Sequence, residues 1–320
     1  MFRSVADRLD YSPIVTRPKI EWPNGARVAV WLCPNVLFFE YEPLTPKHRD
    51  PFYPRGYPDP RVYGHQDYSN RVGFWRTLKL LDEYDAKVTP IISVAVLDHF
   101  PEIRAAMVER DWDYMVHSIY NTRYLWDLGE DEERAYYRDI IATGLRHTGK
   151  RIKGAMGPGP KTSTVNTPDL VAEAGFLYSA DLSADDQPFP VRVKQGKLIT
   201  MPYASDINSA GVLGNAAGAA WEGEVFAEMM KRQFDQLYEE GAESGTIMCI
   251  GLHNYLTGQP HRIKYIREGL DYVLTHAGIW QATAGDIAEY YMAHYYDQMV
   301  QHLGWPKGEL TPGSAGLTTT

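Results

Sequence analysis

A chain of 320 residues, 44% hydrophobic and 23% charged, has ordinary globular composition and enough apolar mass for a sizeable core, which excludes a disordered or fibrous polypeptide. Lysine and arginine number 32 against 41 acidic residues, and a net charge of -9 repels phosphate backbones and anionic lipid, so neither nucleic acid nor a membrane surface is an expected partner. The length exceeds a usual domain, yet α/β barrels routinely reach roughly 250 residues or more as one unit, so a single domain over 1–303 with a flexible tail at 304–320 is expected.

The first residues lack an apolar signal core and no stretch approaches 18 uninterrupted apolar residues, which predicts a soluble cytoplasmic protein. Apolar runs rich in β-branched residues predict strands at 28–33, 88–94, 113–116, 154–156, 178–180, 199–203 and 247–252. Helical periodicity predicts helices at 73–84, 101–110, 131–148, 168–174, 224–240 and 262–276. Thr167 reads as an N-cap with Pro168 at the first helical position, Gly175 as the close of that helix, and Gly241 as the stop of another. Alternating strands and helices predict a parallel α/β barrel or a doubly wound sheet. One stretch, 42–64, is crowded with proline and tyrosine and reads as a long ordered loop over a barrel mouth, or as a loop packed on a neighbouring subunit. Cys33 and Cys249 lie inside apolar runs and read as small buried hydrophobes.

In either architecture, functional groups collect at the carboxyl ends of the strands. That address gathers Asn35, His117, the Gly157-Pro158-Gly159-Pro160 turn, Asp181, Ser205 with Asp206, and His253 at one rim. His117 and His253 each follow a strand and are the candidate proton-transfer groups, with Asp181 the candidate to orient an imidazole; a lone histidine at such a place is more often structural, and the pair shifts that balance. His65, Asp67 and Arg71 join the 42–64 stretch to a helix, where Arg71 has the fork to grip a carboxylate or imide oxygen, or forms only a surface ion pair. Trp126 is a candidate cleft wall, and backbone N–H groups near Ser205 or after Gly159 are candidate oxyanion donors. The proline-bearing turn at 157–160 is no phosphate loop, and Ser118 lacks a nucleophile elbow. The segment from His117 to Asn121 has the outline of a His-x3-His metal turn in which asparagine replaces the second histidine.

Taken together, 66–73, 117–121, 157–159, Asn166-Thr167-Pro168-Asp169-Leu170, Asp185-Asp186-Gln187-Pro188 and Leu252-His253 with Gly258-Gln259-Pro260-His261-Arg262 resemble the polysaccharide deacetylase (NodB-homology) superfamily. The branch they resemble holds cofactor-independent allantoinases and cyclic imide or amide hydrolases. The resemblance runs from about Trp22 to Tyr291 and implies a distorted (β/α)7 barrel, hydrolysis of non-peptide C–N bonds in a small molecule, and a homo-oligomer, dimer or tetramer. Metal-dependent members carry an acidic motif after the first strand, where this chain has Asn35, and a second metal histidine where it has Asn121. Of three ligands only His117 is retained, whereas catalytic zinc takes about three from the protein, so no cofactor is expected and zinc is the less favoured alternative. Glu40, His65 and Asp67 are the conceivable substitute ligands. A metal-dependent amino-sugar deacetylase and an inactive barrel that binds a ligand are the rival readings. The tyrosines 290, 291, 295 and 296 read equally as an oligomer interface or as packing on the chain's own barrel.

Overall fold

The computed structural model describes residues 6–42, 58–126, 128–158, 163–203, 206–214 and 221–306. The longest strand, β1 (Val28–Val36), is buried along its whole length, as a strand covered on both faces must be. Its pleat sends Val28, Val30 and Leu32 to one side and Ala29, Trp31 and Cys33 to the other, and these two sets belong to separate cores. The first core packs the strands against helices; the second, with Ile91, Met115, Tyr178, Ile199 and Cys249, lies on the other side of the sheet and takes in Ala284, Ile287 and Tyr291 from near the C-terminal end. Cys33 and Cys249 are free and buried, as small hydrophobes.

After β1 the chain forms α1 (Pro60–Tyr68), one wider helical turn at Ser69–Gly73, and α2 (Phe74–Asp82). Next come β2 (Ile91–Ser93), α3 (Ala95–His99), α4 (Pro101–Glu109), β3 (Met115–Ser118), α5 (Glu130–Thr148), β4 (Gly154–Ala155), α6 (Thr167–Glu173) and β5 (Tyr178–Ser179). The antiparallel pair β6 (Phe189–Pro190) and β7 (Ile199–Thr200) leads to α7 (Ser209–Leu213) and α8 (Gly223–Glu240). The second long strand, β8 (Thr246–His253), precedes α9 (Asn254–Thr257), α10 (Ile263–Leu274), β9 (Ile279–Gln281), α11 (Ala284–His294) and α12 (Tyr296–His302). Parallel pairing runs β8-β1-β2-β3-β4-β5-β7, with β6 at the far edge and β9 on β1. This is a distorted, open α/β half-barrel of the NodB type.

Two expectations need correction. The stretch 42–64 is not loop to its end, because Asp59 caps a helix by accepting the N–H groups of Arg61 and Val62, and Pro60 occupies the first turn. A proline read as a loop former is there a helix opener; 43–57 lies outside the described residues. Thr167 is the first residue of α6 rather than its cap, with Asn166 before it, and its hydroxyl donates to the buried Glu133 instead. Gly175 does close that helix, at φ 79°, where a side chain would be strained.

The C-terminal aromatics pack on the chain itself. Tyr291 and Tyr296 are buried, while Tyr290 and Tyr295 donate to the Glu21 carbonyl at 3.0 and 2.8 Å. Among the described residues no helix is long and apolar enough to cross a membrane. Residues 307–320, most of the expected tail, lie outside the description.

Candidate functional site

β1 and β8 lie side by side in parallel register, with Asn35 opposite His253 at their carboxyl ends. His117, one residue before the end of β3, lies on the same rim, and the two imidazoles are near enough that charge on His117 disfavours charge on His253. Both residues are half-buried at the rim, with their rings largely surrounded by protein. Burial pushes His117 down to about 4 despite a hydrogen bond to the Met156 carbonyl that favours its charged form. Burial, then the neighbouring His117, pushes His253 down to about 3. Each is therefore a neutral imidazole at pH 7, and a neutral ring has one N–H and one lone pair whose places are set by its surroundings.

Those surroundings differ. His117 Nδ1 lies 3.1 Å from the Met156 carbonyl oxygen, an acceptor only, so Nδ1 carries the proton and Nε2 offers the lone pair. His253 Nδ1 faces the Ser209 hydroxyl at 3.1 Å, and that oxygen already accepts the His253 backbone N–H at 2.7 Å. Ser209 is fully buried, so its hydroxyl proton needs an acceptor, and Nδ1 is the one beside it. The His253 proton then sits on Nε2. One ring presents a lone pair and the other an N–H.

Local sequence explains the placement of Ser209. Asn208 caps α7 by accepting the Ala210 N–H and bridges β8 at Gly251, which sets the next residue over His253. Gly73 has a comparable role on the other side. A Cβ there would lie 2.1 Å from the Asn254 carbonyl oxygen, so only glycine lets the turn at Ser69–Gly73 press against α9. Beside it, the Tyr255 ring stands between His253 and His65, with centroids 5.8 and 5.2 Å away.

The remaining candidates divide. Asn35 is buried at the rim; its amide donates to the Cys33 carbonyl, its side chain bonds to Tyr203, and its own carbonyl accepts Asn254 Nδ2 at 3.0 Å. Asn121 donates its backbone N–H to the Phe38 carbonyl, leaving its side-chain oxygen buried with no hydrogen-bond partner. Asp181 does not touch an imidazole: one oxygen accepts the Gly157 N–H at 2.7 Å and the other the Ser179 hydroxyl at 3.1 Å, with Ser163 adding a third bond. Arg71 points outward, its side chain 75% exposed and paired with Asp67, which corrects its reading as a substrate clamp. Trp126 packs against Tyr124 at 4.8 Å. Ser205 and Gly159, the candidate sources of oxyanion donors, lie outside the described residues. Sequence reasoning missed Ser209, the Met156 carbonyl and the structural place of Tyr255, although Tyr255 directly follows the His253-Asn254 pair in the sequence.

No family model matches the chain. A Schizosaccharomyces pombe protein that carries the name polysaccharide deacetylase is 26% identical over 320 residues, spanning 88% of this chain and 95% of its own length. The crystal structure of Puue allantoinase superposes with a TM-score of 0.77 at 25% identity, over 90% of this chain and 99% of that one. A Pseudomonas aeruginosa PAO1 protein, also named as a polysaccharide deacetylase, gives 0.74 at 26% identity, over 87% and 95%. The chain has the polysaccharide-deacetylase (NodB-homology) fold and is a relative of the allantoinase-like hydrolases. Both names denote cleavage of C–N bonds.

The residues that match the metal-binding positions of this superfamily are a poor fit to zinc. His117 is an imidazole donor, but Asn35 and Asn121 contribute neutral amides, which bind the ion weakly. Two of the three conceivable substitutes are engaged elsewhere, since Glu40 accepts from Thr122 at 2.7 Å and from Arg123 at 2.6 and 3.0 Å and Asp67 is paired with Arg71; His65 stands edge-on to the Tyr255 ring. Among the described residues no three histidine, cysteine, aspartate or glutamate side chains converge as a metal cage.

Proposed function

We propose that this protein hydrolyses a non-peptide C–N bond, in an amide, cyclic imide or ureide of a small molecule, with His117 and His253 at the reacting centre and without a tightly held metal ion. The observation that carries the reading is the pair of neutral imidazoles presenting opposite faces, one a lone pair and one an N–H.

Water enters between the rings. His117 Nε2 takes a proton as the water oxygen bonds to the carbonyl carbon, while His253 Nε2–H donates a hydrogen bond to the carbonyl oxygen as its charge grows. The C–N bond then breaks, and the proton held by His117 passes to the departing nitrogen. His253 works here as a neutral donor, since its imidazolium is disfavoured by burial and by its neighbour, and neutral imidazole is too weak an acid to give its proton away outright. Similarity to proteins named as an allantoinase and as deacetylases supports this bond class.

Turnover of cyclic imides, hydantoins, allantoin and N-acetyl sugars, measured on chelator-treated protein whose metal content is known, tests the proposal. Hydrolysis of an imide or ureide with under about a tenth of an ion per chain supports it. Activity that appears only on adding a divalent metal, or only on N-acetyl sugars, rejects it.

A further inference from the structure

Arg262 stands at the entrance to α10, four residues after Gly258, and its guanidinium is partly buried. Its Nε is enclosed with no hydrogen-bond partner. A buried guanidinium donor left unsatisfied is costly and calls for an explanation; Arg8 and Arg17 also carry such a nitrogen, but each is ion-paired through its other nitrogens, to Asp169 and Asp185, whereas Arg262 has no such pair among the described residues. Burial also holds its pKa below the usual range, against an opposing pull from the charge of Glu222.

The address is the one already described. His253, Tyr255 and His65 form a row of rings with successive centroids 5.8 and 5.2 Å apart, and the Arg262 charge, second to burial, depresses the His65 imidazole. Other guanidiniums around this rim are spent: Arg71 on Asp67, Arg123 on Glu40, and Arg76 on Tyr68 and the Gly258 carbonyl. We propose that Arg262 anchors a carboxylate of the ligand handled by this site, so that the substrate class is a ureide or imide carrying, or releasing, an anionic group. The inference rests on the reading of His117 and His253 as a C–N hydrolysing pair. Two sources share this chemistry: a carboxylate present on the intact substrate, and the carboxylate that opening a cyclic imide creates when water adds to the carbonyl and the ring nitrogen leaves. The planar fork of arginine suits either by paired N–H donors.

Binding separates these without requiring turnover. The full chain and its Arg262→Gln and Arg262→Lys variants are titrated calorimetrically with 5-carboxymethylhydantoin, with hydantoate and with neutral hydantoin. The expected result is a loss of about tenfold or more for at least one anionic ligand in Arg262→Gln, a smaller loss in Arg262→Lys, and unchanged binding of hydantoin wherever it is measurable. A loss confined to 5-carboxymethylhydantoin identifies a substrate anchor, and one confined to hydantoate a product clasp. If Arg262→Gln does not fold, Arg262→Lys keeps the charge without the fork and is predicted to weaken the anions alone. Equal affinity of the anions for wild type and the folded variants, a parallel loss for hydantoin, or no binding of either anion to wild type overturns the proposal. Absence of hydrolysis with anion binding intact counts against the proposed reaction and leaves Arg262 as an anion site.

Discussion

Asp181 and His117 are linked through a single peptide unit. The Gly157 N–H donates to the Asp181 carboxylate at 2.7 Å, and the carbonyl of that same peptide, on Met156, accepts from His117 Nδ1 at 3.1 Å. A carboxylate pulling on the N–H end of an amide strengthens its carbonyl as an acceptor, because hydrogen bonds in a chain polarise one another. In the proposed mechanism the task of the acid is to orient the imidazole at one remove. Substituting Asp181→Asn removes the charge and retains the shape, and is expected to lower kcat by about tenfold with little change in KM, as a positioning effect worth about 1.4 kcal/mol. An NMR titration of His117 that moves no further down in the variant contradicts the link.

Ser209 has the matching task for His253. Removing its hydroxyl in Ser209→Ala frees Nδ1 to take the proton, so a fraction of the rings would turn their N–H away from the substrate. The expected loss in kcat is about 10- to 100-fold, below the full cost of deleting an oxyanion donor. Ser209→Thr keeps the hydroxyl and is expected to recover most of it; equal losses in both variants would point to packing alone.

Stability should depend on pH through the two imidazoles. Both have folded-state pKa values, about 4 and about 3, below the ordinary 6.5, so beneath pH 6.5 the unfolded chain takes up protons that the folded chain refuses. Their contribution is whole above about pH 6.5 and falls as the pH drops toward 4, by on the order of 1 to 3 kcal/mol for each ring. Urea midpoints at pH 7.5 and 5 measure this, and a variant carrying His117→Asn and His253→Asn should show a flatter dependence. A midpoint that rises on acidification would show the sign to be wrong.

Gly73→Ala inserts a methyl 2.1 Å from the Asn254 carbonyl oxygen, which must shift. Overpacking of this kind costs about 1 to 3 kcal/mol, and because the displaced helix carries Tyr255 and follows directly on His253, activity should fall by more than the loss of folded protein explains. Comparing kcat with the folded fraction measured by circular dichroism decides the point.

Much of the frame was legible in the sequence. Continuous apolar runs such as Ile247 to Leu252 mark fully covered strands, and the strand exits alone put His117, His253 and Asn35 at one rim. What escaped were contacts between side chains and distant backbone. Nothing in Ser209 or Met156 as residue types announces an imidazole partner, since the relation exists only after α7 folds over β8 and β4 pairs with β3. Arg71 misled because its fork is indistinguishable in sequence from that of Arg262; exposure and a partner at i−4 separate them. Pro60 misled because proline both opens helices and interrupts them, and the capping carboxylate of Asp59 decides which.

The account turns on the protonation of two rings, which nitrogen-15 imidazole spectra of the folded protein at pH 7 read directly. The predicted spectrum shows both rings neutral, His117 with its proton on Nδ1 and His253 with its proton on Nε2. A cationic ring at that pH, or the same tautomer on both, would contradict it.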